Sequence, residues 1–214
     1  MFLFNLILLC SSFLLIFLLC LIFCRFYLRF STSSSSSSFP FKKEGSLRTM
    51  IVIGAGGHCK EMLTIVNHLD LNGKFNPLCF IIANDDSLSL KKLLASPIYH
   101  NCAKIFFIQR SRQVNQSYFT SIFTTLLSFL DSLIICLNFN PELLICNGPG
   151  TCIPPLIATW LITASKIVYI ESFCRVTTLS LSAKIAKFFT NHVLVQWPML
   201  AIKYPKCKYV GLLV

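Results

Sequence analysis

Short apolar runs alternate with amphipathic segments through most of the chain after residue 47. The runs are rich in β-branched residues and end at glycine or polar residues, which is typical of buried parallel strands. The segments between them carry apolar residues at helical spacing. We therefore expect an α/β fold with one doubly wound, mostly parallel sheet. The predicted strands are 48–53, 77–83, 103–108, 142–146, 166–170 and 192–196, and the predicted helices are 57–71, 87–95, 117–137, 179–189 and one entered through Thr151.

The N-terminal segment has a different pattern, because residues 1–24 contain no charged side chain. A helix of that length is about 36 Å long and covers the ~30 Å hydrocarbon core of a bilayer. A cleaved signal peptide fits less well, since no basic region precedes the run and no small-x-small site follows it. Arg25, Arg29, Lys42, Lys43 and Arg48 follow instead, which predicts a single-pass anchor with this flank in the cytosol.

Residues 25–47 form a basic, serine-rich linker, and we expect the folded domain to span residues 48–214. Two later segments are also apolar. Residues 119–137 are interrupted by Asp131, and residues 153–164 are short and carry two prolines. Both are better explained as core-facing or membrane-surface helices than as further spans.

Composition narrows the class of protein. With 214 residues, the chain is too short for two full nucleotide-binding domains of about 150 residues each. The net charge of +11 suggests an anionic partner, which could be nucleic acid, a phosphorylated substrate or a membrane surface. The 11 cysteines form no Cys-x-x-Cys pair, and no histidine shares a ligand spacing with them, so we assign no metal site.

Glycine-rich loops follow two of the predicted strands. Because the carboxyl ends of parallel strands meet at one edge, these loops should line a common crevice. Glycine lets backbone N–H groups approach a phosphate, and helix N-termini and arginines add favourable charge. The shared chemistry is binding of a phosphate or diphosphate. The candidate residues are Gly54, Gly56, Gly57 and His58 after the first strand, Arg110 and Arg112 after the third, Gly148, Gly150 and Thr151 after the fourth, and Glu171 and Arg175 after the fifth.

The first loop is not a dinucleotide-binding fingerprint, because Cys59 stands where Gly-x-Gly-x-x-Gly requires its third glycine. No Walker pattern is present, and we expect no cofactor. The alternative is that the glycines only permit tight strand-to-helix turns.

Two residues are candidates for proton transfer. His58 is either an exposed residue of the first helical turn or a phosphate donor or acid/base. Glu171 is either a carboxylate at a helix entry or a catalytic base, and Arg175 could pair with it. No Ser/His/Asp triad can be assigned from spacing.

Several long motifs resemble one family. GAGGH at 54–58, NQSYFTSIFTTL at 115–126, LLICNGPGTCIP at 143–154, YIESFCRVTTLS at 169–180 and the C-terminal VQWPMLAIKYPKCKYVGLLV are similar to the asparagine-linked glycosylation protein 14 family. Its members anchor the eukaryotic UDP-N-acetylglucosamine transferase that acts on a dolichol-linked acceptor.

The resemblance implies a Rossmann-like domain corresponding to the acceptor-side half of a GT-B glycosyltransferase. A separate soluble subunit, of the asparagine-linked glycosylation protein 13 type, would hold UDP-N-acetylglucosamine. The pair would add the second N-acetylglucosamine to N-acetylglucosaminyl-diphosphodolichol on the cytosolic face of the endoplasmic reticulum, with no nucleic acid involved. The inverting reaction needs a base, for which His58 and Glu171 are the candidates. The glycines, Thr151 and Arg175 would bind the acceptor diphosphate.

Residues 209–214, the last of the sequence, form an apolar run. Either this segment docks on its own sheet, or Gly211, Leu212, Leu213 and Val214 complete a surface for the soluble subunit, as the resemblance implies. Two other classes of function stay open: a self-sufficient nucleotide-dependent membrane enzyme, and a purely structural recruiter.

Overall fold

The computed structural model describes residues 45–71, 73–113 and 116–214. The predicted anchor, residues 1–24, and most of the predicted linker lie outside the described residues. Within the described ranges, one helix, Phe119–Phe139, is long and apolar enough to cross a membrane by length and composition.

A single parallel sheet forms the centre of the fold, as predicted. Its order is β3-β2-β1-β4-β5-β6-β7, and every neighbouring pair runs parallel. β1, β2 and β4 are buried along their whole length, which explains why their sequences are apolar without alternation. The strands are β1 (Thr49–Val52), β2 (Leu78–Ala83), β3 (Cys102–Ile108), β4 (Leu143–Asn147), β5 (Lys166–Ile170), β6 (His192–Val195) and β7 (Cys207–Tyr209).

Six α-helices connect the strands: α1 (Gly57–Asn67), α2 (Ser87–Leu94), α3 (Tyr118–Phe139), α4 (Ile153–Ile162), α5 (Leu181–Ala186) and α6 (Pro198–Lys203). Side chains cap three of their N-termini, where Asp86, Ser117 and Ser180 each accept a hydrogen bond from a backbone N–H of the first turn. Short 3₁₀ turns cover Pro97–Asn101 and Gly150–Cys152.

The main core lies between one face of the sheet and helices α3 and α4. Met50 and Val52 of β1 are fully buried there, as is Tyr169 of β5. Trp160 of α4 is 2% exposed and packs edge-on against Phe189. This core fixes the central strands and therefore the loops at their carboxyl ends.

The order of the sheet changes direction between β1 and β4. The chain proceeds from β1 outward through β2 to β3, then crosses back to β4 and continues outward through β7. Val52 pairs with Cys146, so the two strands end side by side. The loops that follow them diverge into α1 and into the Gly150–Cys152 turn. Such a point of divergence is where open α/β sheets bind their ligands.

Candidate active site

The two glycine loops are in direct contact. A Cβ placed on Gly54 would collide with the ring of Pro149, and one placed on Gly148 would collide with the imidazole of His58. Gly148 also has a φ of +66°, which disfavours any side chain. Packing between the loops therefore explains Gly54 and Gly148 without any ligand.

The other three glycines of the loops leave space. A Cβ on Gly56, Gly57 or Gly150 would meet no atom within 4 Å. Gly56 has a φ of +65° at the N-cap of α1, so its backbone requires glycine. Gly57 and Gly150 have neither a positive φ nor a close neighbour. Packing therefore gives no reason for glycine at these two positions, and the close approach of a ligand to their backbone stays a prediction.

A glutamate that the sequence analysis did not single out connects the ends of three elements. Glu61, on the first turns of α1, accepts a 2.8 Å hydrogen bond from the hydroxyl of Ser172 and a 3.4 Å bond from the amide of Asn147. The same Asn147 amide donates to the backbone carbonyl of His58. The cluster holds the start of α1 against the ends of β4 and β5.

Glu61 also faces the imidazole of His58, with 3.9 Å between Nδ1 and Oε2. Burial alone would raise the pKa of the Glu61 carboxyl, but the facing imidazole and the hydroxyl and amide donors outweigh burial. The pKa of Glu61 therefore lies below its usual value. A carboxylate that stays ionised is suited to hold an imidazole in one orientation.

The His58 ring is partly accessible. Its side chain is 32% exposed, while Nδ1 is buried and forms no hydrogen bond within the described part of the chain. The accessible part of the ring therefore lies away from Nδ1. His58 thus has a carboxylate on one side and open space on the other, which is the arrangement of a general base.

Glu171 has a different environment. It is fully buried, and its two carboxylate oxygens accept hydrogen bonds from the backbone N–H groups of Ser172 and Ser180. Its carbonyl accepts from the side chain of Gln196. The residue ties β5 to the entry of α5, which corresponds to the first of its two predicted interpretations.

Tyr169 reinforces the same region. Its phenol donates to the carbonyl of Gly148 at 3.0 Å and lies 3.4 Å from the hydroxyl of Ser180. Burial raises the pKa of Tyr169 far above its usual value, so the phenol stays protonated and acts as a donor. Gly148, in the second glycine loop, is therefore held by the hydrogen bond from Tyr169 and by its packing against His58.

The predicted arginines do not converge. Arg110 follows β3, at the edge of the sheet, and pairs with Asp85 at 2.8 Å to both carboxylate oxygens. Arg112 donates to the carbonyl of Gln116. Arg175 follows β5, four strands from β3, and is exposed, whereas Thr151 is nearly buried at the second loop. Of the three arginines, Arg175 follows the strand that neighbours β4, whereas Arg110 and Arg112 follow the outermost strand, β3.

The described residues contain no group of three or more His, Cys, Asp or Glu side chains that could hold a metal ion. The eight described cysteines are free thiols, and six of them are buried.

The C-terminal residues extend beyond β7 along the edge of the sheet. The N–H of Val210 donates to the carbonyl of Val195, and the N–H of Leu213 donates to the side chain of Gln196. The backbone is therefore attached to the fold. Leu212 and Val214 nevertheless remain 58% and 41% exposed.

Comparison with solved structures identifies the fold. MurG from Acinetobacter baumannii superposes on the chain with a TM-score of 0.59 at 14% identity, covering 77% of this chain and 44% of that one. A UDP-GlcNAc 2-epimerase from Methanocaldococcus jannaschii superposes with a TM-score of 0.50 at 11% identity, covering 77% and 45%. The chain thus spans less than half of either structure. Its fold is one Rossmann-like half of the glycosyltransferase-like, GT-B arrangement.

The sequence relatives are more specific. A family model described as "Oligosaccharide biosynthesis protein Alg14 like" matches residues 49–213. The "UDP-N-acetylglucosamine transferase subunit ALG14" of Rattus norvegicus is 40% identical over 191 residues, covering 83% of this chain and 88% of that protein. The Schizosaccharomyces pombe subunit of the same name is 39% identical over 188 residues, covering 83% and 87%. The chain belongs to the Alg14 family, as the motifs predicted.

Proposed function

We propose that this chain is the membrane-anchoring, acceptor-side subunit of a UDP-N-acetylglucosamine transferase. In this role it adds, together with a soluble subunit, the second N-acetylglucosamine to N-acetylglucosaminyl-diphosphodolichol. One observation carries the proposal most strongly: the accessible imidazole of His58 lies between two interlocked glycine loops, at the point where the sheet order diverges. Membership of the Alg14 family and the names of its relatives support the same reaction.

His58 is the proposed base. Its free ring nitrogen takes the proton from the acceptor hydroxyl as that oxygen attacks the anomeric carbon of the donor sugar, and UDP leaves on the opposite side. The proton then passes from the imidazole to solvent. Glu61 is a positioning residue, because its contact is with His58 and not with a substrate. Glu171, the other candidate base, is better suited to hold the loop after β5, since both of its oxygens already accept backbone hydrogen bonds.

The acceptor diphosphate is proposed to lie against the open glycines. Gly57 begins α1, whose N-terminus favours an anion. Gly150 is a second position where no atom lies within 4 Å of a Cβ, so a ligand can approach its backbone. Gly54, Gly56 and Gly148 give the loops the shape that leaves this space. Thr151 and the exposed Arg175 are the side chains available to add donors at its margin.

The donor nucleotide is assigned mainly to a partner, a soluble subunit of the asparagine-linked glycosylation protein 13 type. Two findings support this assignment: the chain covers 44% of the MurG structure, and its relatives are named as subunits of a transferase. The exposed side chains of Leu212 and Val214, on a segment that includes Gly211 and Leu213, are the proposed contact for that subunit.

Residues 1–24 are proposed as the single-pass anchor and residues 25–47 as the linker to the domain. The basic flank supports an orientation with the domain on the cytosolic face of the proposed membrane, that of the endoplasmic reticulum. The soluble subunit would then be held at the membrane that contains its lipid acceptor.

The test is reconstitution. The full chain is co-expressed with the soluble subunit, and membranes are assayed for transfer of N-acetylglucosamine from its UDP conjugate to a diphosphate-linked lipid acceptor. Transfer should require both chains and the diphosphate. Transfer by this chain alone would support the self-sufficient enzyme, and full activity after His58→Ala would support a purely structural recruiter.

A further inference from the structure

The long helix α3 exposes its apolar side chains, whereas an ordinary surface helix buries them. Its outer side presents large apolar side chains at helical spacing, and every polar side chain between Thr120 and Asn138 is buried or partly buried. Soluble domains rarely leave such a continuous apolar stripe uncovered. The stripe consists of Phe119, Ile122, Phe123, Leu126, Leu127, Leu130, Ile134 and Leu137, with Phe119 86% exposed and Leu127, the least exposed, 38%.

The polar residues between Thr120 and Asn138 face inward instead. The hydroxyls of Thr124 and Thr125 donate to the carbonyl of Ser111, at 2.6 and 3.2 Å. The carboxylate of Asp131 accepts from the backbone N–H of Gln109 at 3.0 Å. Ser128 and Ser132 are fully buried. These bonds fix α3 to the domain along its length, so the helix cannot leave the sheet to span a bilayer without breaking them.

Basic residues lie at both ends of the stripe. Arg112 is exposed and donates to the carbonyl of Gln116, just before the first turn of α3. Lys104 lies over the ring of Phe106, which in turn packs edge-on against Phe139 in the last turn. The only acidic residue of α3, Asp131, is directed inward. An apolar stripe flanked by cations matches the boundary between acyl chains and anionic headgroups.

We propose that the outer face of α3 lies in the plane of a phospholipid bilayer, with the stripe among the acyl chains and the helix axis parallel to the surface. From Phe119 to Leu137 the stripe extends about 27 Å. Hydrocarbon chains need no hydrogen-bonding partner, whereas a protein interface of this size normally contains several hydrogen bonds. The face offers almost none. The proposed anchor, residues 1–24, would bring a bilayer within reach of the domain, and in this respect the inference rests on the proposed function.

This surface is separate from the proposed active site, and its test does not use transferase activity. The full chain is reconstituted in nanodiscs containing phosphatidylserine and brominated phosphatidylcholine, which quenches tryptophan only at acyl-chain depth. Phe123→Trp and Leu130→Trp report from the stripe. Leu88→Trp is the matched control, because Leu88 is 57% exposed on α2, away from the stripe. The signals of Trp160 and Trp197 are subtracted using the unsubstituted chain.

Emission from the two stripe positions should shift to shorter wavelength and lose most of its intensity in brominated discs, while the Leu88→Trp emission should change little. Adding Leu126→Glu and Leu127→Glu should abolish the quenching at Phe123→Trp. Equal quenching at all three positions, or quenching that survives the two glutamates, would mean mere proximity through the anchor and would overturn the proposal. A shift without quenching, together with cross-linking between copies, would assign the stripe to a second copy of the chain and would also overturn it.

Discussion

The imidazole of His58 lies directly against Gly148, although the two residues follow different strands. Gly148 also adopts a left-handed conformation, with a φ of +66°. Gly148→Ala should therefore strain the loop and displace His58. We expect a stability loss of about 1–3 kcal/mol and a sharp fall in transfer. Thermal unfolding and the transfer assay measure the two effects. Undisturbed stability and activity would show that the loop tolerates a side chain.

Substitutions of Gly57 should distinguish an effect on acceptor binding from an effect on folding. It begins α1 with open space around it and no positive φ, so Gly57→Ala should leave stability unchanged or raise it by up to about 1 kcal/mol. If the acceptor diphosphate approaches this backbone, transfer should nevertheless fall, and Gly57→Val should abolish it while membrane insertion and partner capture persist. Wild-type transfer by both variants would remove Gly57 from the proposed site.

Glu61, which is partly buried, and Glu171, which is fully buried, should respond differently to substitution. Glu61→Gln removes the charge that faces His58, and we expect kcat to fall at least about 10-fold with little change in KM. Glu171→Gln replaces an acceptor of two backbone N–H groups, so we expect a stability loss of about 1–3 kcal/mol as its first effect. Kinetics and thermal unfolding on both variants distinguish the roles. The reverse pattern would make Glu171 the base.

The pH dependence of stability follows from Glu61. Its pKa is lower in the folded chain than in the unfolded one, so its stabilising contribution is present above the unfolded value of about 4.3 and is lost as pH falls through the folded value. Melting temperatures from pH 7 to 3 should therefore fall more steeply for the wild type than for Glu61→Gln. Parallel curves would show that the carboxyl is not shifted.

Partner capture should depend on the exposed side chains of the C-terminal segment. Leu212→Glu with Val214→Glu should leave the fold intact, because both side chains are exposed, yet abolish co-sedimentation of the soluble subunit with membranes. Burial of two such side chains is worth ~1.5–3 kcal/mol each, or about two to four decades of affinity. Leu88→Glu, an exposed leucine on α2, is the matched control. Undiminished capture would place the contact elsewhere.

The fold was predictable because the six predicted strands are apolar along nearly their whole length. β7 was missed, since Cys207–Tyr209 is short and lies among lysines, and α6 was missed although Pro198 stands at its first turn. The predicted convergence of three arginines was wrong for a physical reason. Sequence indicates which residues follow a strand but not the order of strands, and the order places β3 far from β5.

The site was predictable only in part. The glycine loops follow from sequence, but the reasons for individual glycines do not, because the contacts of Gly54 with Pro149 and of Gly148 with His58 are tertiary. Glu61 was missed, although its position three residues after His58 places it on the same side of α1. Its partners Asn147 and Ser172 come from distant strands and become visible only in the assembled sheet.

The central claim is that the chemistry on the acceptor side belongs to this chain and is centred on His58. The most direct test is the rate of N-acetylglucosamine transfer by the reconstituted pair carrying His58→Ala, with partner capture measured in the same membranes. We predict a loss of about 100-fold or more in kcat, with capture of the soluble subunit unchanged. Transfer at the wild-type rate by a variant that still captures its partner would contradict the account.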